Sequence, residues 1–303
     1  MTAPGAALSR WWFEPVPLAR IAAFRVLVYL FVPVDVALTQ GWVRSHVGAG
    51  SELYQPLRVS DLLHLPTPTT ASVTVLLVAL LGSALLAATG RLPRTAGTAV
   101  AVLYLLWMLV AMSYGKVDHD RVVYLVCLAV LPTVGRARFG DPARSEAAGW
   151  ALRAVQVAVV LTYFYSSWAK LRLGGWNWAT GAILERALLR RSTPFSAWMV
   201  DHTTLLQAMQ WVMITAEFCS PLLLVFARSD RARVLVAIAL WGFHISVFAG
   251  VTIIFLPHCI AIAAFVPTEK AGTVFARLIR PFRGTRLRSS SVSRRSPARS
   301  PSG

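Results

Sequence analysis

The sequence has few charged residues, and most of those it has are of one sign. Charged residues make up 14% of the 303 residues, whereas a soluble domain contains roughly a quarter. Hydrophobic residues make up 56%, and the mean hydropathy is +0.59. A soluble protein with an unusually large core is the alternative, but the shortage of charge points to a protein that lies largely in a membrane.

The chain also lacks the patterns of disulfide frameworks, metal centres and nucleotide sites. Its three cysteines, Cys127, Cys219 and Cys259, lie in apolar runs without paired spacing, which favours buried free thiols. No two histidines have the i, i+4 spacing typical of zinc ligands. There is no glycine-rich phosphate loop. We therefore predict no metal ion.

Long apolar runs explain the composition, since a transmembrane helix needs about 20 apolar residues. We predict an all-α, polytopic transmembrane helical bundle of about eight spans, over residues 20–38, 70–89, 96–113, 120–134, 150–171, 205–227, 233–250 and 252–267. Little more than Gly250 separates the last two, so a helical hairpin and one kinked helix both fit. No small-residue cleavage site follows the first run, which predicts a retained helix.

Two short segments flank the predicted membrane domain of residues 20–267. Residues 1–19 are predicted to be a cytoplasmic or interfacial segment, and residues 268–303 a basic, Ser/Arg-rich tail. The tail has too little apolar content to fold and is expected to be disordered. The net charge of +17 requires no nucleic acid partner, because basic residues cluster in loops beside apolar helices and in the tail.

The loop arginines predict the orientation of the chain. Placing both termini in the cytoplasm puts three basic loops there: Arg91 and Arg94; Arg136, Arg138 and Arg144; Arg228, Arg231 and Arg233. This satisfies the positive-inside rule and predicts a multi-pass protein of the inner cell membrane. The segment 172–204 is an exception with four arginines. Its apolar spacing over residues 183–188 predicts an amphipathic helix at the interface, and its side stays open.

Six polar residues fall within or beside the predicted spans, namely Arg25, Asp35, His119, Lys170, Glu217 and His244. Each is a functional candidate at membrane depth, and each has a structural alternative. Arg25 is expected to snorkel to the headgroups, and Asp35 could meet water at the other end of the same helix. Glu217 must be neutral or paired, in a structural ion pair or in a catalytic site.

Histidines occur in three of the predicted spans or at their ends. His119 lies between Asp118 and Asp120 at the mouth of a short helix, where solvation is the simplest interpretation. His244 lies deeper in its span. His258 follows Pro257 and is interpreted as a residue near a helix start.

Lys170 is the strongest candidate for chemistry, because it ends an aromatic, apolar run over residues 163–169. Trp168 and Arg172 beside it also suit an interfacial anchor, so snorkelling is the alternative. In an apolar pocket the neutral form of a lysine is favoured. A neutral amine could take a proton from a weakly acidic hydroxyl.

Three segments together resemble one family, the vitamin K-dependent gamma-carboxylases and the bacterial horizontally transferred transmembrane (HTTM) domain proteins. Residues 163–171 followed by 178–181 are similar to the lysine motif of that family. Residues 119–125 resemble its His-containing helix start, and residues 243–257 resemble its Phe-His helix. The opening residues 13–15 and 24–25 also fit, so that the resemblance covers roughly residues 13–267.

The resemblance implies a site for a reduced vitamin K or menaquinone. Lys170 would be the base that deprotonates the quinol, and His119 its helper. The residues implied to line the quinol pocket are His244, Trp178, Tyr163 and Glu217. In the carboxylase, oxygenation of the quinol then produces a base that abstracts a glutamate γ-proton. Ala169 replaces the first lysine of the carboxylase pair, and no large domain follows the last helix, which puts peptide carboxylation in doubt.

Three functions stay open. An enzyme acting on a lipophilic quinol should gather Lys170, His119 and His244 around one apolar pocket. A non-catalytic membrane module assisting a peptide or protein partner in maturation or export should point Lys170 at the lipid headgroups. A transporter should show broken helices around a midplane site and related halves, a symmetry that is not visible in the sequence.

Overall fold

The computed structural model describes residues 4–115 and 117–270. Most of the predicted tail, residues 271–303, therefore lies outside the described residues. The helices are α1 Pro4–Trp12, α2 Leu18–Thr39, α3 Val43–Ala49, α4 Arg58–Leu62, α5 Thr70–Ala88, α6 Thr95–Met112, α7 Arg121–Val130, α8 Glu146–Gly174, α9 Asn177–Thr180, α10 Ile183–Arg191, α11 Thr203–Phe218, α12 Leu222–Phe226, α13 Asp230–Val251 and α14 Leu256–Ile262. Two short strands, β1 Val16–Pro17 and β2 Arg144–Ser145, pair antiparallel.

The all-α, multi-pass architecture is confirmed in its main features. Five helices, α2, α5, α6, α8 and α13, are long and apolar enough to cross a membrane. Each of them contains or closely matches a predicted span. The other three predicted spans hold shorter helices: α7, α11 with α12, and α14. The total of about eight spans therefore stays a prediction.

The predicted span 205–227 is interrupted just beyond Glu217. α11 ends at Phe218, and a turn at Cys219–Pro221 leads into α12. Proline lacks the amide hydrogen and crowds the carbonyl four residues before it, so an α-helix does not continue through it unchanged. The Ser220 hydroxyl donates to the Val160 carbonyl on α8 at 2.9 Å. This bond ties the end of α11 to α8.

The last two predicted spans are separate helices. α13 runs through Gly250 and ends at Val251, so the break falls later than the glycine suggested. Thr252 is in the left-handed region, with φ +55°, which ends the helix. The Trp241 indole on α13 donates to the Cys259 carbonyl on α14 at 2.9 Å. α14 thus folds back beside α13, as in the hairpin alternative.

The main core lies where α2, α5, α6, α7, α8 and α14 pack together. Its largest fully buried side chains include Trp107, Tyr29, Tyr104, Tyr124 and Phe265. A smaller apolar cluster joins α10, α11 and α13 through Leu188, Leu206 and Val251. α10 is a helix, as predicted, but its position at a membrane interface stays a prediction.

Two polar residues of α2 are buried, contrary to the sequence-based expectation. Arg25 is 1% exposed, and its Nη2 donates to the carbonyls of Val134 at 2.8 Å and Gly135 at 3.1 Å. Arg25 is therefore held by backbone carbonyls and is not exposed, and its position relative to the headgroups stays a prediction. Asp35 is 0% exposed, and it accepts a hydrogen bond from Tyr104 at 2.7 Å instead of meeting water. The partners lie on other helices, which the pattern along α2 does not reveal.

One end of the bundle gathers the chain segments that carry the basic loops. Arg20 at the start of α2 pairs with Glu269 at 2.7 Å and with Asp230 at 3.4 Å. Glu14 accepts from Arg153 and Arg233, at 3.2 Å each. These pairs bring the start of α2, α8 and α13 together with the residues after α14. Which side of the membrane this end faces stays a prediction.

Candidate functional site

Lys170 forms a close ion pair with Glu217. Its Nζ lies 2.6 and 2.5 Å from the two carboxylate oxygens. The lysine side chain is 21% exposed and that of Glu217 is 6% exposed. Nζ also lies 4.8 Å from the centroid of the Trp178 ring, a cation–π distance. Lys170 therefore points at a carboxylate on a neighbouring helix.

The ends of two helices position this pair. Lys170 lies in the last turns of α8, which ends at Gly174. Glu217 is the second-last residue of α11, just before the turn that precedes Pro221. Because Ser220 donates to the Val160 carbonyl in the middle of α8, the end of α11 is held against α8. Glu217 is paired, as its depth in the apolar run required.

Gln210 holds Trp178 in place and was not singled out by the sequence. It is 1% exposed on α11. Its amide nitrogen donates to the carbonyls of Trp178, Ala179 and Gly181 at 3.1, 3.0 and 2.9 Å. Its amide oxygen accepts from the Leu184 backbone at 2.7 Å. An amide in the middle of an apolar helix was the available signal.

A second cluster lies on the same face of α8. The Tyr163 hydroxyl and His244 Nε2 are 2.7 Å apart, and the His258 ring centroid lies 5.0 Å from that of Tyr163 and 5.1 Å from that of His244. Tyr163 and Lys170 are seven residues apart, which is two helical turns or about 10 Å. The structure thus brings together Tyr163 and His244, two of the residues implied to line a quinol pocket.

His258 belongs to this second cluster, which the sequence interpretation missed. It is 2% exposed, so it is more than a residue near a helix start. The Nδ1 of His244 and the Nε2 of His258 are buried and have no hydrogen-bond partner among the described residues. A buried imidazole nitrogen without a partner is costly, and it marks a place where a polar ligand group could bind.

His119 lies at the edge of this cluster and is exposed. Its ring centroid is 6.2 Å from that of Phe255, which in turn lies 5.2 Å from that of His244. The carboxylates of Asp118 and Asp120 pair with Arg121, each at 3.1 Å. His119 thus lies next to the histidine cluster through Phe255, and its role as the helper of Lys170 stays a prediction.

Metal ligation finds no support in the described part of the chain. Residues 4–115 and 117–270 contain no group of three or more His, Cys, Asp or Glu side chains that could hold a metal ion. The candidate site consists instead of an ion pair, a tyrosine–histidine hydrogen bond and aromatic rings.

The apolar helices and the buried polar pairs between them define a polytopic helical membrane protein. The chain matches the HTTM domain family over residues 13–267 and belongs to that family. The resemblance to the HTTM domain proteins over roughly residues 13–267 is thereby confirmed. No curated protein and no solved structure matches the chain.

Proposed function

We propose that this HTTM domain protein is a membrane enzyme in which Lys170 takes a proton from the hydroxyl of a lipophilic quinol. The observation that carries the proposal is the pairing of Lys170 Nζ with Glu217 at 2.5 and 2.6 Å. Lys170 lies in the segment that resembles the family's lysine motif. An ionisable pair at such a position within membrane helices is a functional candidate by default.

The pair offers a way to produce a neutral amine. Burial disfavours two separate charges, so a proton can move from Lys170 Nζ to a Glu217 oxygen and leave both groups uncharged. The free electron pair on Nζ then accepts the hydroxyl proton of the substrate. In that step an O–H bond breaks, an N–H bond forms and the electron pair stays on oxygen. The resulting ammonium group lies beside the oxyanion and stabilises it.

The residues around the pair fit an aromatic, lipophilic substrate. The Trp178 ring covers Nζ. The Phe164 ring on α8 lies 5.2 Å from the ring of Phe218, the residue after Glu217. Trp176 and Trp211 stack at 5.8 Å and are 66% and 42% exposed. These rings offer apolar contact to a molecule arriving from the bilayer. When bound, a reduced quinone such as menaquinol would supply the hydroxyl proton and the electrons that reduce oxygen.

The hydrogen bond between Tyr163 and His244 would support proton removal from the site. It lies two turns of α8 away from Lys170, about 10 Å along the helix. The hydroxyl and the imidazole can exchange a proton across 2.7 Å. His119 would then act from the outer edge of this relay, through the histidine cluster, and would not contact Lys170.

The proposal is tested by oxygen uptake of the full chain in detergent with reduced menaquinone. We expect Lys170→Ala to lower the rate by about 100-fold or more, the usual contribution of a general base. Arg172→Ala removes a neighbouring exposed charge and should leave the rate within about twofold. Equal uptake by wild type and Lys170→Ala would overturn the assignment of the base.

A second candidate is a non-catalytic membrane module that assists maturation or export of a peptide. It is favoured by the direct contact between Lys170 Nζ and both Glu217 oxygens. In a module this ion pair would serve to join α8 to α11. The charge-swapped double variant Lys170→Glu/Glu217→Lys distinguishes the two candidates. A module keeps its stability and function when the charges are exchanged, whereas an enzyme stays inactive because the amine is on the wrong helix.

A further inference from the structure

A cavity of about 420 Å³ lies at the end of the bundle that carries the basic loops. It opens between the first turns of α2, the loop after α5 and the segment 136–139. Four arginines line it, namely Arg25, Arg91, Arg136 and Arg138, and none of the described lining residues is acidic. Its size falls within the roughly 300–1,000 Å³ typical of ligand pockets.

Arg25 supplies the buried charge of this cavity. It is 1% exposed, and only its Nη2 is bonded, to backbone carbonyls at 2.8 and 3.1 Å and to a third at 3.4 Å. Its Nε and Nη1 are buried and have no hydrogen-bond partner among the described residues. A guanidinium is permanently charged and presents its donors as a fork that matches an oxyanion. Arg25 therefore has unused donors at a wall of the cavity.

The other three arginines add positive charge without compensation. Arg91, Arg136 and Arg138 are exposed. Within residues 4–115 and 117–270, none of these arginines or Arg25 forms an ion pair with a carboxylate. Other arginines at this end, such as Arg20 and Arg233, are paired with acidic side chains. The cavity is thus a local concentration of unpaired cations.

We propose that this cavity binds a phosphate group, and that its occupant is the headgroup of an anionic membrane lipid. Arginine forks bind phosphate oxygens in pairs and with high specificity. Apolar contacts suit the rest of a lipid: Val26 lines the cavity, and Phe139 at its rim is 65% exposed. The positive-inside rule predicts that this end faces the cytoplasm, where basic pockets between transmembrane helices bind anionic headgroups.

The test measures binding of phosphatidylglycerol, phosphatidylcholine and inorganic phosphate to the delipidated full chain in a neutral detergent. Native mass spectrometry or a thermal shift reports binding, because a ligand that binds the folded state raises its stability. The variant Arg91→Gln/Arg138→Gln removes two exposed charges from the cavity, so it should fold. Arg94→Gln, an exposed arginine of the same loop that does not line the cavity, is the control.

We expect phosphatidylglycerol to bind in preference to phosphatidylcholine, and the double variant to lose about tenfold or more in affinity. Arg25→Lys keeps the charge but loses the fork, so it should bind more weakly than wild type while still folding. Arg94→Gln should match wild type within about twofold. Equal lipid affinity of the double variant and wild type would overturn the site. Binding of inorganic phosphate without any preference for phosphatidylglycerol would overturn the lipid as occupant.

Discussion

Single side chains in the apolar helices fall into two groups, those with complete polar partners and those without. Lys170 with Glu217, and Gln210 with four backbone groups, are satisfied. Arg25, His244 and His258 each keep a buried nitrogen without a partner among the described residues. An unsatisfied buried donor or acceptor lowers the stability of the protein. The second group therefore marks the positions at which a hydrogen bond from a bound ligand would stabilise the protein most.

Gln210→Leu is expected to lower the free energy of unfolding by about 1–3 kcal/mol, because it leaves buried backbone groups of the Trp178 segment unpaired. The amide hydrogen of Leu184 should also exchange faster with solvent. Both are measurable on the purified full chain by denaturation in detergent and by hydrogen exchange.

Gln207→Leu is the matched control for this change. Gln207 lies one turn earlier on α11, is exposed and makes a single hydrogen bond, to the Thr180 carbonyl at 3.1 Å. Gln207→Leu should lower the free energy of unfolding by less than about 0.5 kcal/mol, as for most surface substitutions. Equal losses for the two variants would show that Gln210 does not hold the Trp178 segment.

Helices in this protein are joined by close approaches as well as by side-chain pairs. At Gly149 on α8, an added Cβ would lie 1.9 Å from the carbonyl oxygen of Glu14. The backbone of Glu14, two residues before β1, thus passes directly over the helix. The same N-terminal segment is held by pairing of β1 with β2 and by Glu14 with Arg153. α8 therefore carries the N-terminal contacts at one end and Lys170 at the other.

Gly149→Ala is expected to destabilise the protein by about 1–3 kcal/mol, because the contacted atom is backbone and cannot turn aside. Gly242→Ala on α13 is the control, since an added Cβ there meets nothing within 4 Å. The control should be neutral or stabilising by about 0.5–1 kcal/mol, the usual gain from replacing glycine in a helix. The measurement is the midpoint of thermal unfolding in detergent. Equal midpoints for Gly149→Ala and Gly242→Ala would contradict the close approach at Gly149.

The bundle as a whole has a basic end, which joins the start of α2, the loops after α5 and before α8, and the start of α13. Arg20 pairs with Asp230 and Glu269, and residues of α2, of the loop after α5 and of the segment 136–139 line one cavity. This grouping agrees with the loop charges that predict an inner-membrane protein with both termini in the cytoplasm. The orientation itself is a prediction that needs a measurement in the membrane.

Single cysteines introduced at Arg94 and at Leu63 test this orientation. Arg94 lies in the loop between α5 and α6, and Leu63 lies in the segment between α2 and α5. In intact cells a membrane-impermeant thiol reagent should label Leu63→Cys and not Arg94→Cys, and inverted vesicles should give the reverse. The chain carrying only its own three cysteines provides the background. Labelling of both positions from the same side would refute the predicted topology.

Much of the fold could be predicted from the local pattern, and much of the site could not. α2, α5 and α6 begin and end within two residues of their predicted spans. In the bilayer, an apolar run can satisfy the hydrogen bonds of its backbone N–H and C=O groups by forming a helix, so the length of the run predicts the length of the helix. The spans around Glu217 and His258 were less accurate. There, the helices are interrupted at Pro221 and Thr252. The short helices α12 and α14 are stabilised by packing against α8 and α7, which the local sequence pattern does not reveal.

The order of apolar runs and the lysine and histidine segments were enough to establish an α-helical membrane protein of the HTTM domain family, because both signals are local in the chain. The partners of the polar residues come from packing between helices. Lys170 meets a carboxylate 47 residues away, and Arg25 is buried against carbonyls more than 100 residues away. Asp118 and Asp120 both pair with Arg121. A buried charge is stabilised by whichever group folding places within a few ångströms of it, and that distance is a property of the folded bundle.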